Sequence, residues 1–385
     1  MAKRIDVIIP AYKAHGTMFR ALSSIACQSI LDQISVTIVN DCCPEGDYSS
    51  FVDLFSPFFD IKEVKLEKNG GPGVARQFGI DNSSAEWFTC MDADDTLIGS
   101  LALEQLLGVA DANPSVVNVV GTFLQLCEGS APLKHEADSV WMFGKLYKRS
   151  FIEKYNIRFN ETRANEDTGF NKKVNLICSA SQNEDIANVD IPVYYWHEKV
   201  DSITRVNNGQ YSYDQSFCGW TDNMIDAYQF CKRVTPFNGE VDKFCVGVMY
   251  QLYTYYIEVV GRNPVFAAQD WEYVKKFYHT CFAPLWGSLS DDVKAEAYNE
   301  AMTGVYVKQS WHGIIPSMSI TEFFDKLSKE PYDPNDIYSV YADLPSDLIA
   351  NNIACGVCEE NYTTPPSDIS VSAVSTDSAD MGSAE

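Results

Sequence analysis

Met91-Asp92-Ala93-Asp94-Asp95 sets three carboxylates within four residues. They follow Glu86-Trp87-Phe88-Thr89-Cys90-Met91, an apolar run that reads as a buried strand. Carboxylates this crowded repel one another unless a cation sits among them. Oxygen ligands suit a hard divalent ion, Mg2+ or Mn2+, and such an ion commonly holds a phosphate. Acidic triplets also decorate solvated loops, so the triplet takes its meaning from the rest of the chain. Arg76 is the next candidate. It lies one turn into a helix opened by Gly70-Gly71-Pro72-Gly73. Its cation and the partial positive charge of the helix N-terminus suit an anion, although a surface arginine would look the same in isolation. Glu166-Asp167 is a third candidate: a carboxylate pair that by itself reads as a charge pair at a helix N-terminus.

These groups need elements to hold them. Ile5 to Pro10, Val36 to Val39, Val64 to Leu66 and the Trp87 run read as strands. Helical spacing falls at 16–29, at 51–58, from Gly73 through Ile80, and at 101–110. Strand and helix alternate, which implies a mostly parallel sheet with right-handed crossovers. Tyr12, Asp41 and Asp92 to Asp95 all fall at strand C-terminal ends, which converge on one crevice in a doubly wound sheet. Residues 140–205 continue with mixed elements, including the strand Asp190 to Trp196 that leads to His197. Residues 213–329 read as an aromatic-rich helical module, with helices at 213–233, 241–261, 270–282, 291–308 and 320–329 and a capping box at Ser319 to Glu322. The chain thus divides into 1–212, 213–329, and a tail over 330–385 expected to be acidic and largely disordered.

The chain has 385 residues and a net charge of −24. Residues 329–385 hold 1 basic and 11 acidic side chains. No basic stripe tracks a nucleic-acid backbone, which argues against a DNA- or RNA-acting protein. The 12 cysteines are scattered and several sit in apolar runs. Cys355-Gly-Val-Cys358 is half of a zinc motif with no second half nearby. With no signal peptide before Ile5, the expected compartment is a reducing cytoplasm, bacterial or that of a host cell if the gene is phage-borne. Phe244 to Ile257 carries no charge before Glu258, but it is too short to span a bilayer and reads as a core helix, so no integral membrane segment is expected.

Val7-Ile8-Ile9-Pro10-Ala11-Tyr12, Val39-Asn40-Asp41, Asn69-Gly70-Gly71-Pro72-Gly73-Val74-Ala75-Arg76 and Met91-Asp92-Ala93-Asp94-Asp95 occur in that order. The series resembles the nucleotide-binding half of family 2 glycosyltransferases, over roughly residues 5–205. The resemblance implies a GT-A fold, Rossmann-like and flanked by helices. Tyr12 follows the strand-ending Pro10 and could stack on a nucleobase. Asp41 matches the family's carboxylate that accepts the uracil N–H, although Asn40 stands where Asp is common. Gly71 and Arg76 fall to the nucleotide or its phosphates. The Asp-x-Asp motif implies Mn2+ or Mg2+ on the diphosphate of a nucleotide sugar, with Asp94 the direct ligand, Asp92 a ligand or ribose contact, and Asp95 orienting the loop.

The segment from Trp141 to Ser150, then Arg158 to Glu161 and Asn165-Glu166-Asp167-Thr168, resembles the family's acceptor side. The resemblance makes Asp167 the base that deprotonates an acceptor hydroxyl, with Glu166 beside it to bind acceptor or support the loop. His197 becomes a third metal ligand or diphosphate contact, and Arg205 a second cation for the phosphates. The implied activity is inverting transfer from a nucleotide sugar, a UDP-sugar first, to a hydroxyl on a carbohydrate or other acceptor, as in polysaccharide biosynthesis. A modified DNA base of the bacteriophage kind is an alternative acceptor, which the acidic balance disfavours. A GT-A scaffold without turnover is another alternative. The helical module either walls the acceptor side or forms a homo-oligomer interface.

Overall fold

In the computed structural model the described residues are 3–162, 164–198, 210–235, 239–262, 264–299, 303 and 318–334. Arg205, Cys355 and Cys358 lie outside them, as does nearly all of the acidic tail.

Four strands begin the fold: β1 (Ile5–Ala11), β2 (Ile34–Asn40), β3 (Asp60–Lys65) and β4 (Trp87–Cys90). All pair in parallel, with Ala11 opposite Asn40 and Ile8 opposite Cys90. Their C-terminal ends therefore share one edge. The connecting helices are α1 (His15–Ala26), α2 (Ser49–Phe55) and α3 (Pro72–Asp81). α1 buries Met18, Ala21, Leu22 and Ile25, the face expected from its spacing. Gly79 of α3 lets the helix press on β1 and β2. A Cβ there would lie 2.4 Å from Ile8 Cγ2 and 2.9 Å from Val39 Cγ2.

Beyond the triplet come β5 (Thr96–Leu97), α4 (Ala102–Ala112), β6 (Val116–Leu126), β7 (Leu133–His135), β8 (Lys145–Lys148), α5 (Arg149–Tyr155), α6 (Glu166–Ala180) and β9 (Asp185–His197). The sheet order is β3-β2-β1-β4-β8-β6-β9-β5, with β7 on β6. This second half is mixed: β8 runs antiparallel to both β4 and β6, while β6 and β9 are parallel. Only the first half of the sheet is thus parallel throughout, whereas the sequence implied a mostly parallel sheet.

Two strand readings change. β3 begins at Asp60, before the expected Val64, because the charged edge sequence Asp60-Ile61-Lys62-Glu63-Val64-Lys65 alternates outward side chains with partly covered ones. β6 was not among the strands expected from the sequence. Its first eight residues are buried on both faces, so no alternation marks them.

The apolar core has two parts, one on each side of the sheet. Ile5, Val7 and Ile9 join Leu22, Leu106 and Phe123 on one side. Ile8, Val39 and Phe88 join α6 on the other. The latter cluster runs on without interruption through Phe217, Tyr256 and Phe323. Those residues belong to α7 (Gln210–Val234), α8 (Gly239–Arg262) and a final helix, Ile320–Lys329. The final helix starts in the expected capping box: Ser319 Oγ accepts the Glu322 N–H at 3.2 Å, and Glu322 accepts the Ser319 N–H at 2.7 Å. Between them α9 (Ala267–Phe277) runs into a π-helical turn, Tyr278–Phe282, and one further turn, Ala283–Trp286. Residues 291–299 are helical as expected, while 300–302 and 304–308 of that reading lie outside the described residues.

Candidate active site

The shared strand edge gathers the first set of candidates. Pro10 is partly covered at the end of β1, and Tyr12 just beyond it exposes 47% of its surface. Asp41 follows β2 and is buried. Its two carboxylate oxygens accept the N–H groups of Gly70 at 2.7 Å and Gly71 at 2.9 Å. Asp41 thus anchors the glycine loop ahead of α3. Gly71 has φ +85°, a left-handed value that strains any residue with a Cβ. Pro72 follows at the first helical position, where its missing N–H costs nothing.

Arg76 is buried rather than presented to solvent. One terminal nitrogen donates to Asp92 Oδ1 at 2.8 Å and the other to Glu166 Oε1 at 2.6 Å. Its Nε is buried without a hydrogen-bond partner. A single guanidinium therefore ties the acidic triplet to the Glu166-Asp167 pair, 74 residues further on. This link was not visible in the sequence, where Arg76 pointed only toward an anion.

The triplet divides its labour. Asp95 is fully buried: its Oδ2 accepts the Tyr194 hydroxyl and its Oδ1 the His197 backbone N–H, both at 2.8 Å. The same Tyr194 oxygen accepts the Asp92 N–H at 3.1 Å. Burial first, then the neighbouring Asp92 and Asp94, push the Asp95 carboxyl up to about 8. Asp95 holds the loop, while Asp92 and Asp94 remain partly exposed at the edge. Oxygens of the three carboxylates lie within 4.8 Å of one another. An all-oxygen donor set of this size fits a hard divalent ion. The His197 ring is not part of that group, and its Nε2 stands 2.9 Å from Thr96 Oγ1.

Glu166 and Asp167 open the first turn of α6, whose cap Asn165 is left-handed at φ +60°. Glu166 is buried and Asp167 partly exposed. Burial, then the adjacent Asp167, push Glu166 up to about 7 against the pull of Arg76. Burial also raises Asp167, opposed first by Arg76 and then by the Thr168 N–H, which donates to its Oδ1 at 2.7 Å. The pair therefore sits where a charge pair at a helix N-terminus was expected, with one member buried and the other partly exposed. Two contributors were missed from the sequence. Lys145 is buried, lies 3.1 Å from Asp138, and contributes positive charge felt by Asp167. Tyr194 joins Asp95 to Asp92. The sequence placed Tyr194 in the strand leading to His197 but gave no sign of its hydroxyl's partners.

Comparisons with known proteins place this geometry. The family model described as Glycosyl transferase family 2 matches residues 6–167, from β1 to the Asp167 carboxylate. Residues 6–167 are a family 2 glycosyltransferase domain. Its relatives include the succinoglycan biosynthesis protein ExoO of Rhizobium meliloti, 25% identical over 42% of this chain and 53% of that protein. The glycosyltransferase GlyA of Streptococcus pneumoniae is 24% identical over 60% of this chain and 34% of its own length. The chain therefore spans about half or less of these curated relatives. Among solved structures, S. aureus TarS 1-349 in complex with UDP superposes with a TM-score of 0.55 at 15% identity, covering 78% of this chain and 88% of that one. That likeness extends past the family 2 domain into the helical region, and it bears on the fold alone. Among the described residues, no helix is long and apolar enough to cross a membrane.

Proposed function

We propose that the chain is a metal-dependent, inverting glycosyltransferase that moves a sugar from a nucleotide donor, UDP-linked first, to a hydroxyl of a growing glycan or polymer. The observation that carries this reading is the Arg76 bridge. It brings the Asp92 edge and the Asp167 helix to opposite sides of one guanidinium. Tyr12 offers an exposed ring for a base. Asp41, which anchors the glycine loop at the end of β2, would be the carboxylate that meets a uracil N–H. The UDP seen with TarS and the polymer-building names of the relatives support the donor and acceptor classes.

Asp92 and Asp94 would hold Mn2+ or Mg2+, which when bound neutralises charge growing on the departing diphosphate. The chain's own residues do the rest. Asp95, Tyr194 and the His197 backbone fix the loop that presents Asp92 and Asp94. Glu166 and Arg76 set the start of α6. Asp167 takes the proton from the acceptor hydroxyl as that oxygen attacks the anomeric carbon opposite the leaving group. A hydroxyl is a weak nucleophile, so a base of raised pKa serves it well. Gly73 leaves room for this assembly, since a Cβ there would lie 2.7 Å from Glu166 Cγ.

The test is release of UDP from a panel of UDP-sugars with Mn2+, with and without excess chelator and with candidate polyol or glycan acceptors. Chelator-sensitive turnover of at least one donor is expected. Failure to bind any UDP-sugar would set the reading aside.

A further inference from the structure

We propose that His15, Cys43 and Glu45 form a second cation site, of zinc type, in the wall of the crevice and separate from the Asp92–Asp95 triplet. One ligand atom from each lies within 4.8 Å of the others. His15 starts α1, three residues after Tyr12, and Cys43 follows Asp41 by two.

The imidazole's hydrogen bonds point to a cation. His15 Nε2 stands 2.8 Å from the Asp47 carbonyl oxygen. A carbonyl can only accept, so Nε2 carries the hydrogen. In the neutral ring Nδ1 then holds a lone pair. It faces Glu45 Oε2 at 3.3 Å, and a carboxylate also only accepts. Two lone pairs at that distance need positive charge between them: a ring proton or a metal. The separation equals the edge of a tetrahedron with metal–ligand bonds of about 2.0 Å, roughly 3.3 Å. A proton bridging that pair has no use for sulfur, but the buried Cys43 thiol lies within the same cluster. Imidazole, thiolate and one carboxylate form a softer set than the all-oxygen triplet, and that set favours Zn2+ over Mg2+ or Mn2+.

The surroundings hold these ligands as a metal site requires. The His15 ring stacks on Tyr48 with centroids 4.3 Å apart and planes 15° from parallel. Asn40 braces the loop: its Oδ1 accepts the Cys43 N–H at 2.8 Å, and its Nδ2 donates to the Gly46 carbonyl at 3.1 Å. A carbonyl partner on the far ring nitrogen is the usual support of a ligating histidine. Water fills the fourth position, and the Cys43 thiol proton leaves as the metal enters.

The experiment uses the full chain, stripped of metal by chelator, dialysed, and titrated with Co2+ as a coloured substitute. Thiolate-to-cobalt charge-transfer absorption reports sulfur ligation, which the carboxylate triplet cannot produce, and it does not depend on glycosyl transfer. One equivalent of the band is expected, displaced by Zn2+, absent in Cys43→Ser and His15→Gln, and retained in Cys42→Ser. Glu45→Gln, on an exposed loop, weakens Co2+ at least about tenfold. No band in the wild type, a band that survives Cys43→Ser, or unchanged affinity in Glu45→Gln overturns the site.

Discussion

Arg76 shows what a residue type conveys by itself and what it withholds. Its position behind a glycine loop marked a cation near an anion site. Its two carboxylate partners come from Asp92 and Glu166, and only folding brings these together. Asp41 behaves likewise: the strand-end rule located it, while its grip on Gly70 and Gly71 depends on how the loop closes. Arg76→Leu leaves buried Glu166 without its cation. A loss of about 3–5 kcal/mol is expected at pH 8 in urea unfolding. The loss shrinks at pH 5, where Glu166 is protonated. An equal loss at both pH values contradicts the pairing. Glu166 itself gives a signed pH effect. Its carboxyl sits at about 7 in the fold against an ordinary 4.5. The folded state holds that proton more tightly, so this contribution is full below about 4.5 and is lost as pH rises through about 7. Glu166→Gln removes it, and the fall in Tm between pH 5 and pH 8 becomes smaller than in the wild type.

At the scale of elements, the parallel half of the sheet was legible because β1, β2 and β4 are apolar runs that stop on polar residues. β6 was not, since burial on both faces erases the period-two signal. β3 was misplaced because an edge strand carries charges that mimic a loop. α6 and α7 meet through a contact no periodicity reveals: a Cβ on Gly169 would fall 2.2 Å from Asn223 Oδ1 and 2.9 Å from Asn223 Cβ. Asn223 Nδ2 donates to Thr162 Oγ1 at 2.7 Å, just ahead of the helix that carries Asp167. Gly169→Ala therefore costs about 1–3 kcal/mol by overpacking. It also shifts α6, lowering turnover without abolishing nucleotide binding. Calorimetry and steady-state kinetics on the same preparation check both parts, and an unchanged Tm contradicts the contact.

At the scale of the whole molecule, the helices after residue 210 complete the core on one side of the sheet. Phe217, Met224, Tyr256 and Phe323 lie in the same apolar cluster as Ile8 and Phe170. A chain ended at residue 205 is expected to expose that surface and aggregate, read by light scattering. A monomer that stays soluble and cooperative would contradict the shared core. Composition marked these helices as apolar and aromatic but could not say which face of the sheet they cover. The central claim is that α6 presents a base, Asp167, to the crevice bounded by the triplet. It is tested most directly by comparing Asp167→Asn with the wild type for UDP release from the preferred UDP-sugar and for UDP affinity. Turnover should fall by about 10²- to 10⁴-fold while the Kd for UDP stays the same. Equal turnover in the two proteins would contradict the account.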